Sequence, residues 1–232
     1  MTEFLASKEW QTFLQVLPTI PMETWETVYS TLLSTLLALA LGLPLGVLLV
    51  TGEKNGVRPL PKWVMQLLNF LINMLRSVPF LILMIIVIPL SRLLVGTSIG
   101  TPAAIVPLTI ASFPFVSRLV EATLREVDPG VIEAAQSMGA TPMQIICKVM
   151  IPESLPGLIA NTTIAATTIL GYGAMAGIIG AGGLGKVAIN YGYYRYNVIL
   201  ELFPTALIVI LVQVMQTIGT KLAQRSDKRL RQ

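Results

Sequence analysis

The chain has 232 residues, 54% of them hydrophobic and 12% charged, with a net charge of +4, one cysteine and no histidine. Its mean hydropathy is +0.74, whereas soluble domains carry roughly 25% charged residues, so the composition describes an integral membrane protein. Lack of histidine removes the commonest metal ligand and general base, the lone Cys147 excludes an internal disulfide, and the modest positive charge reads as membrane topology rather than nucleic-acid binding.

Residues 1–21 hold Glu3, Lys8, Glu9, Pro18 and Pro21 and lack the basic start and apolar run of a signal peptide. They read as a short tail with an amphipathic turn around Trp10 to Leu17. Beyond them, long gaps between charges predict five transmembrane helices at about 23–50, 62–91, 101–124, 153–179 and 198–222, with only Arg76 clearly inside a span and the other charges near span ends. About 20 apolar residues are needed per crossing, and lipid leaves backbone polar groups no partner outside a helix. Eleven of the sixteen Lys and Arg fall in the 51–62 loop, the 118–152 segment and the C-terminal tail. The positive-inside rule makes that side cytoplasmic. The N-terminal tail is then extracytoplasmic and residues 223–232 form a basic cytoplasmic tail, as an odd number of spans requires.

In the second span Gln66, Asn69, Asn73 and Arg76 share one helical face among apolar residues. Intramembrane polar groups face the bundle or a water-filled cavity. Two readings follow: this face walls the cytoplasmic half of a pathway, or Arg76 is a packing residue that bonds the Leu75 carbonyl freed by Pro79.

The stretch "EVDPGVIEAAQSMGATPMQIICKVMIPESLPG" (126–157) is too long for a plain connection. Asp128 is placed to cap a helix with Pro129 at its first position, whose apolar face is Val131, Ile132, Ala135 and Met138. Gly139 ends it. Thr141 then caps a second helix with Pro142 first and Gln144 third, and Ile145, Ile146 and Val149 form its face. Pro152 and Pro156 break it before the fourth span. Small residues at Ala134 and Ala135 permit close approach by another molecule, and Glu133 suits a basic groove.

The fourth span carries Asn161, Thr162, Thr163, Thr167, Thr168, Tyr172 and Met175. Met suits an adaptable apolar lining, and it also fills core gaps. After it, "GAGGLGKV" (180–187) comes within one residue of a phosphate-binding loop. Val187 replaces the magnesium-binding hydroxyl and no strand precedes the run, so nucleotide binding is not expected there. The seven glycines of 171–185 suit close helix packing and turns instead. The fifth span, 198–222, completes the set.

"EAAQSMGATPMQIICKVMIP" resembles the EAA loop of bacterial ABC importer permeases: Glu133, Ala134, Ala135, Gly139 and Pro152 match, and Val149 and Ile151 are conservative replacements. "RSVPFLILMIIVIPLSRLLVGTSIGTPAAIVPLTIASFPFVSR" (76–118) and "GYGAMAGIIGAGGLGKVAINYGYYRYN" (171–197) resemble the methionine-importer permease subfamily. The resemblance covers roughly residues 22–222. It implies an all-α importer permease fold with five transmembrane helices and a cytoplasmic two-helix coupling loop at about 128–152. It implies a homodimer in the prokaryotic inner membrane with two ABC ATPase subunits and an extracytoplasmic substrate-binding lipoprotein. This chain would then have no catalytic site and no cofactor, ATP and magnesium being bound by the ATPase. Glu133, Ala134, Ala135, Gly139, Ala140, Thr141, Pro142 and Pro152 would couple to the ATPase. Asn73, Arg76, Asn161, Thr168, Tyr172 and Met175 are candidates for the path, with Met175 where the family narrows it; Lys186 stands beside the glycine run by coincidence of spacing. A permease for another polar amino acid or osmolyte shares the loop. An ATP-independent secondary transporter is the reading from a different class, disfavoured because no carboxylate lies clearly inside a span, Glu121 and Glu201 being near span ends.

Overall fold

The structure is a computed structural model that describes residues 8–227, and all regular elements among them are helical. Helix α1 (Lys8–Val16) leads through a 3-10 turn (Leu17–Thr19) into α2 (Ile20–Thr51). Then come α3 (Lys62–Ser77), α4 (Phe80–Val95) and α5 (Thr101–Arg125). The 126–157 segment holds α6 (Pro129–Ser137), α7 (Pro142–Ile145), a π-helical turn (Ile146–Met150) and α8 (Ile151–Glu153). Helix α9 (Leu155–Ala176) follows, extended by the 3-10 turn Gly177–Ile179. The short α10 (Leu184–Val187) precedes α11 (Val198–Ser226).

Among the described residues four helical stretches are long and apolar enough to cross a membrane, and α3 with α4 makes a fifth if the bent pair is one span. The single helix expected over 62–91 is therefore a correction. Pro79 lacks an N–H and pushes Val78 out of the helical region, to φ −80° and ψ 127°. Helix α3 ends there and the pair is bent by 107°. At 16 residues each, the two helices reach about 24 Å, short of the hydrocarbon thickness of about 30 Å.

The contacts divide the chain into two compact units. One collects the residues up to Thr35, Pro79–Thr109 and Ala166–Met215. In it Phe13 and Val16 of α1 pack with Ile20, Leu184, Val187 and Leu200. The stretch read as a tail is thus a packed amphipathic helix from Lys8 onward, and residues 1–7 lie outside the described residues. Asn197 ties the two ends of this core together. Its Oδ1 accepts from Leu200 N at 3.1 Å, capping α11, and its Nδ2 donates to Glu9 O at 3.0 Å.

The glycine run of 180–187 is organised by Glu23 of α2, which is only 8% exposed. One carboxylate oxygen accepts from Gly183 N at 2.7 Å and the other from Lys186 Nζ at 2.6 Å. Thr27, one turn on, accepts from Leu184 N at 2.8 Å. Glu26 accepts from Thr101 Oγ1 at 2.5 Å, and a Cβ on Gly182 would strike both side chains. Gly183 sits at φ 88° and ψ −178°, a region open almost only to glycine, and a Cβ there would lie 2.6 Å from Thr27 Oγ1. Gly100, the last residue of "VGTSIG", donates to Gly180 O at 2.9 Å, so the two quoted segments meet. Lys186 is not there by coincidence of spacing. Its hydrogen bond to Glu23 raises its pKa above the ordinary lysine value, against the opposing effect of burial. At neutral pH the ammonium is fully charged.

The second unit collects Leu36–Val78, Ile110–Ala165 and the residues from Gln216 on. Gly42 and Gly46 let α2 approach α5 so closely that a Cβ at Gly46 would lie 2.6 Å from Val120 Cβ. Leu49, Leu124, Ile145 and Met150 are fully buried here. Helix α11 runs on through Ser226, four residues into the stretch read as a tail, and residues 228–232 lie outside the described residues.

Gly183→Ala is expected to cost about 1–3 kcal/mol through backbone strain alone, and more through the clash with Thr27. Glu23→Gln, which cannot match both donors as an anion, is expected to cost a similar roughly 1–3 kcal/mol. Gly96→Ala, at φ 81° with no atom near the added Cβ, is the milder control. Thermal melts in detergent check the order; midpoints unchanged for both Gly183→Ala and Glu23→Gln would contradict it.

Candidate functional site

The 126–157 segment folds as its capping residues dictate. Asp128 Oδ1 accepts from Gly130 N at 2.8 Å at the start of α6, with Pro129 in the first turn. Gly139 is left-handed, at φ 77°. Gly139 N donates to Gln136 O at 2.9 Å and Ala140 N to Ala135 O at 3.1 Å, closing the carbonyl end of α6. Thr141 and Gln144 form a complete capping box at α7: Thr141 N donates to Gln144 Oε1 at 2.8 Å, and Gln144 N donates to Thr141 Oγ1 at 3.4 Å. Both helices are thus terminated on either side of one glycine, which makes the hairpin stiff.

Burial divides the segment into two faces. Ala135, Ile145, Ile146 and Met150 are buried, whereas Glu133, Ala134, Gly139, Thr141, Pro142 and Pro152 are exposed and Ala140 is half-buried. Ala135 therefore packs inward and is not offered to another molecule. Met138, read as part of the apolar face of α6, is instead 82% exposed, and Met143 is 59% exposed. The cause is its place at the helix C-cap, where φ −81° and ψ 5° depart from the helical path. Pro152 does not break the helical run. The π turn before it bonds Ile151 N to Ile146 O, a wider spacing that accommodates a residue without an N–H. The break falls at Ser154, whose Oγ donates to Met150 O at 2.7 Å.

A polar network lies at the base of this segment. Arg118 Nη1 donates to Glu121 Oε2 at 2.6 Å, and its Nη2 donates to the side-chain oxygens of Asn69 at 2.8 Å and Asn73 at 2.9 Å. Arg125 Nη2 donates to Glu121 Oε1 at 2.7 Å, and Arg125 holds both oxygens of Glu53, at 2.6 and 3.1 Å. These bonds lower the Glu53 pKa below the ordinary carboxylate value, against a smaller effect of burial. A separate polar cavity of about 450 Å³ is lined among others by Thr123, Glu126, Lys148, Glu153 and Asp227. Among the described residues no group of acidic or cysteine side chains is arranged to hold a metal ion.

The path candidates are distributed unevenly. Asn73 is exposed but spends its oxygen on Arg118, and Arg76 is exposed near the end of α3. Asn161 is half-buried and donates to Thr123 Oγ1 at 2.6 Å, a helix-to-helix bond. Tyr172 stacks on Phe80 with ring centroids 4.2 Å apart and planes 9° apart. Thr168 is half-buried and Met175 is 49% exposed. At about 100° per residue, Asn161, Thr168, Tyr172 and Met175 share one face of α9, which supports a common role for these four more than for Asn73 and Arg76. Sequence reasoning missed Arg118, Glu121 and Arg125 as a set; their i, i+3, i+7 spacing on one helix was readable, but their pairing with Asn69 and Asn73 was not.

Comparison with known proteins gives this geometry its context. Residues 38–232 match the family described as binding-protein-dependent transport system inner membrane component. The chain is 50% identical over 207 residues to the probable D-methionine transport system permease protein MetI of Vibrio cholerae, covering 89% of this chain and 91% of that one. It is 47% identical over 168 residues to the methionine import system permease protein MetP of Bacillus subtilis, covering 72% and 76%. A chain of the MetNI methionine ABC transporter, crystallised in inward-facing conformations, superimposes with a TM-score of 0.89 at 42% identity, over 92% of this chain and 99% of that one. An amino acid ABC transporter crystallised with histidines shares the fold, with a TM-score of 0.68 at 23% identity. Matched from its first long helix to its end, this chain belongs to the family of inner-membrane components of binding-protein-dependent transport systems.

Proposed function

We propose that this chain is the membrane permease subunit of an ATP-driven methionine importer. The observation that carries this reading is its likeness along nearly its whole length to methionine permeases and to a chain of the MetNI transporter. In this reading two copies associate with two ATPase subunits, which bind ATP and magnesium. The permease chain has no catalytic site of its own. A substrate-binding lipoprotein delivers methionine from outside. The Lys and Arg distribution supports an extracytoplasmic N-terminus and a cytoplasmic C-terminus.

The 126–157 segment is then the coupling loop. Glu133, Ala134, Gly139, Ala140, Thr141, Pro142 and Pro152 present a stiff, largely exposed edge to the ATPase, while the buried Ala135 fixes the segment to the helices behind it. The exposed Met138 and Met143 add polarizable apolar contacts. Transport follows alternating access: closure of the ATPases on ATP moves the loops, and hydrolysis resets them. The face of α9 carrying Asn161, Thr168, Tyr172 and Met175 lines the path.

In liposomes holding the chain with its ATPase, uptake of labelled methionine is expected to require both ATP on the ATPase side and the loaded binding protein opposite. Uptake that ignores ATP and follows an ion gradient would refute the reading. ATP hydrolysis stimulated only by a binding protein loaded with another solute would replace the substrate. Gly139→Pro cannot adopt φ 77°, and Glu133→Lys reverses an exposed charge. Each variant is expected to insert normally yet lose roughly tenfold or more of ATP-driven uptake, an effect of about 1.4 kcal/mol. Full uptake by both would rule out this role for the segment.

A further inference from the structure

Helix α3 is weakly held by apolar packing. Of its sixteen residues only Ile72 is buried, and Trp63, Phe70 and Met74 are exposed. It also ends abruptly at Val78, where the backbone turns extended. What fastens its polar face is one guanidinium nitrogen, Arg118 Nη2, shared between the amide oxygens of Asn69 and Asn73. The other side of Arg118 is seated on Glu121, whose second oxygen takes Arg125. Arg125 in turn grips Glu53 in the loop before α3 with both carboxylate oxygens engaged. The charges within the set cancel. Arg118 and Arg125 lie in the last turns of α5, and Arg125 is three residues from Asp128, the cap of α6.

The strengths along this chain differ. Pairs between guanidinium and carboxylate are tighter than bonds from guanidinium to a neutral amide oxygen. Glu121 therefore keeps Arg118 in place on α5, and the asparagines are the contact that can release.

We propose that Arg118 is a positioning residue for transport: a catch that holds α3 to the end of α5 and passes displacement of the 126–157 segment to α3 through Asn69 and Asn73. Asn73 accordingly serves the catch and not the lining of the path. The proposal rests on the transport reading for what drives the motion, and on the hydrogen-bond geometry alone for the catch itself.

The test compares the assembled complex carrying Asn69→Ala with Asn73→Ala, the complex carrying Asn73→Asp, and the unaltered one. Amide hydrogen exchange in α3, ATP hydrolysis and labelled methionine uptake are measured on each. The double alanine variant is expected to raise α3 exchange about tenfold, as for loss of one charge-assisted hydrogen bond, and to raise the ATP hydrolysed per methionine taken up. Asn73→Asp gives Arg118 a carboxylate, so α3 exchange is expected to slow and uptake to fall together. Unchanged α3 exchange in the double variant overturns the catch. Slower exchange in Asn73→Asp with undiminished uptake reduces it to a structural tie and overturns the transmitting role. A changed methionine KM with an unchanged ratio of hydrolysis to uptake returns Asn73 to the path. If the unaltered complex shows no ATP-dependent methionine uptake, the transport reading fails, and the exchange measurements alone decide whether the catch exists.

Discussion

A charge within an apolar helix bundle must find a partner in the protein, and much of this structure follows from how two glutamates meet that demand. Glu23 is nearly buried, and both its oxygens are used, one by a lysine and one by a backbone N–H. Glu121 also spends both oxygens, one on each of two arginines. Each carboxylate organises the irregular backbone or the weakly packed helix around it. The Glu23 cluster fixes the glycine-rich run by accepting from Gly183 N and from the Lys186 ammonium. The Glu121 cluster holds α3, of whose residues only Ile72 is buried.

The stiffness of the 126–157 segment has a different origin. It lies in local backbone chemistry: an Asp cap, a left-handed glycine and a capping box within seventeen residues, from Asp128 to Gln144. Such caps each contribute about 0.5–2 kcal/mol, and together they define one shape for a hairpin only nine plus four residues in its two helices. A stiff hairpin can transmit force only if its base is also held. The buried Ile145, Ile146 and Met150 supply the apolar part of that hold, and the arginine network supplies the polar part.

What was legible in the sequence was whatever short-range chemistry decides. Four long helices, α2, α5, α9 and α11, lie within a few residues of the expected span bounds, because hydropathy over about 20 residues is a local sum. The caps at Asp128 and Thr141 and the turn at Gly139 form as read, because they involve neighbours in the chain. What was not legible depends on distant partners. Lys186 and Glu23 are 163 positions apart, and Arg118 and Asn73 are 45 apart, so neither pairing shows in any local window. The break at Pro79 was half visible: a proline inside a helix can kink it or end it, and the choice depends on whether the surroundings allow Val78 to extend. Met138 was misassigned because helical periodicity was carried one residue past the last residue that obeys it.

The reading of the 126–157 segment as the surface on which an ATPase acts is the point on which the mechanism turns. Its most exposed large apolar side chain, Met138, offers a direct probe. With Cys147→Ser removing the lone native thiol, Met138→Cys can be labelled by a maleimide in the isolated chain and in the complex with the ATPase. The expected result is fast labelling of the isolated chain and strong protection by the ATPase. Equal labelling rates in a complex that copurifies intact would contradict the role assigned to this surface.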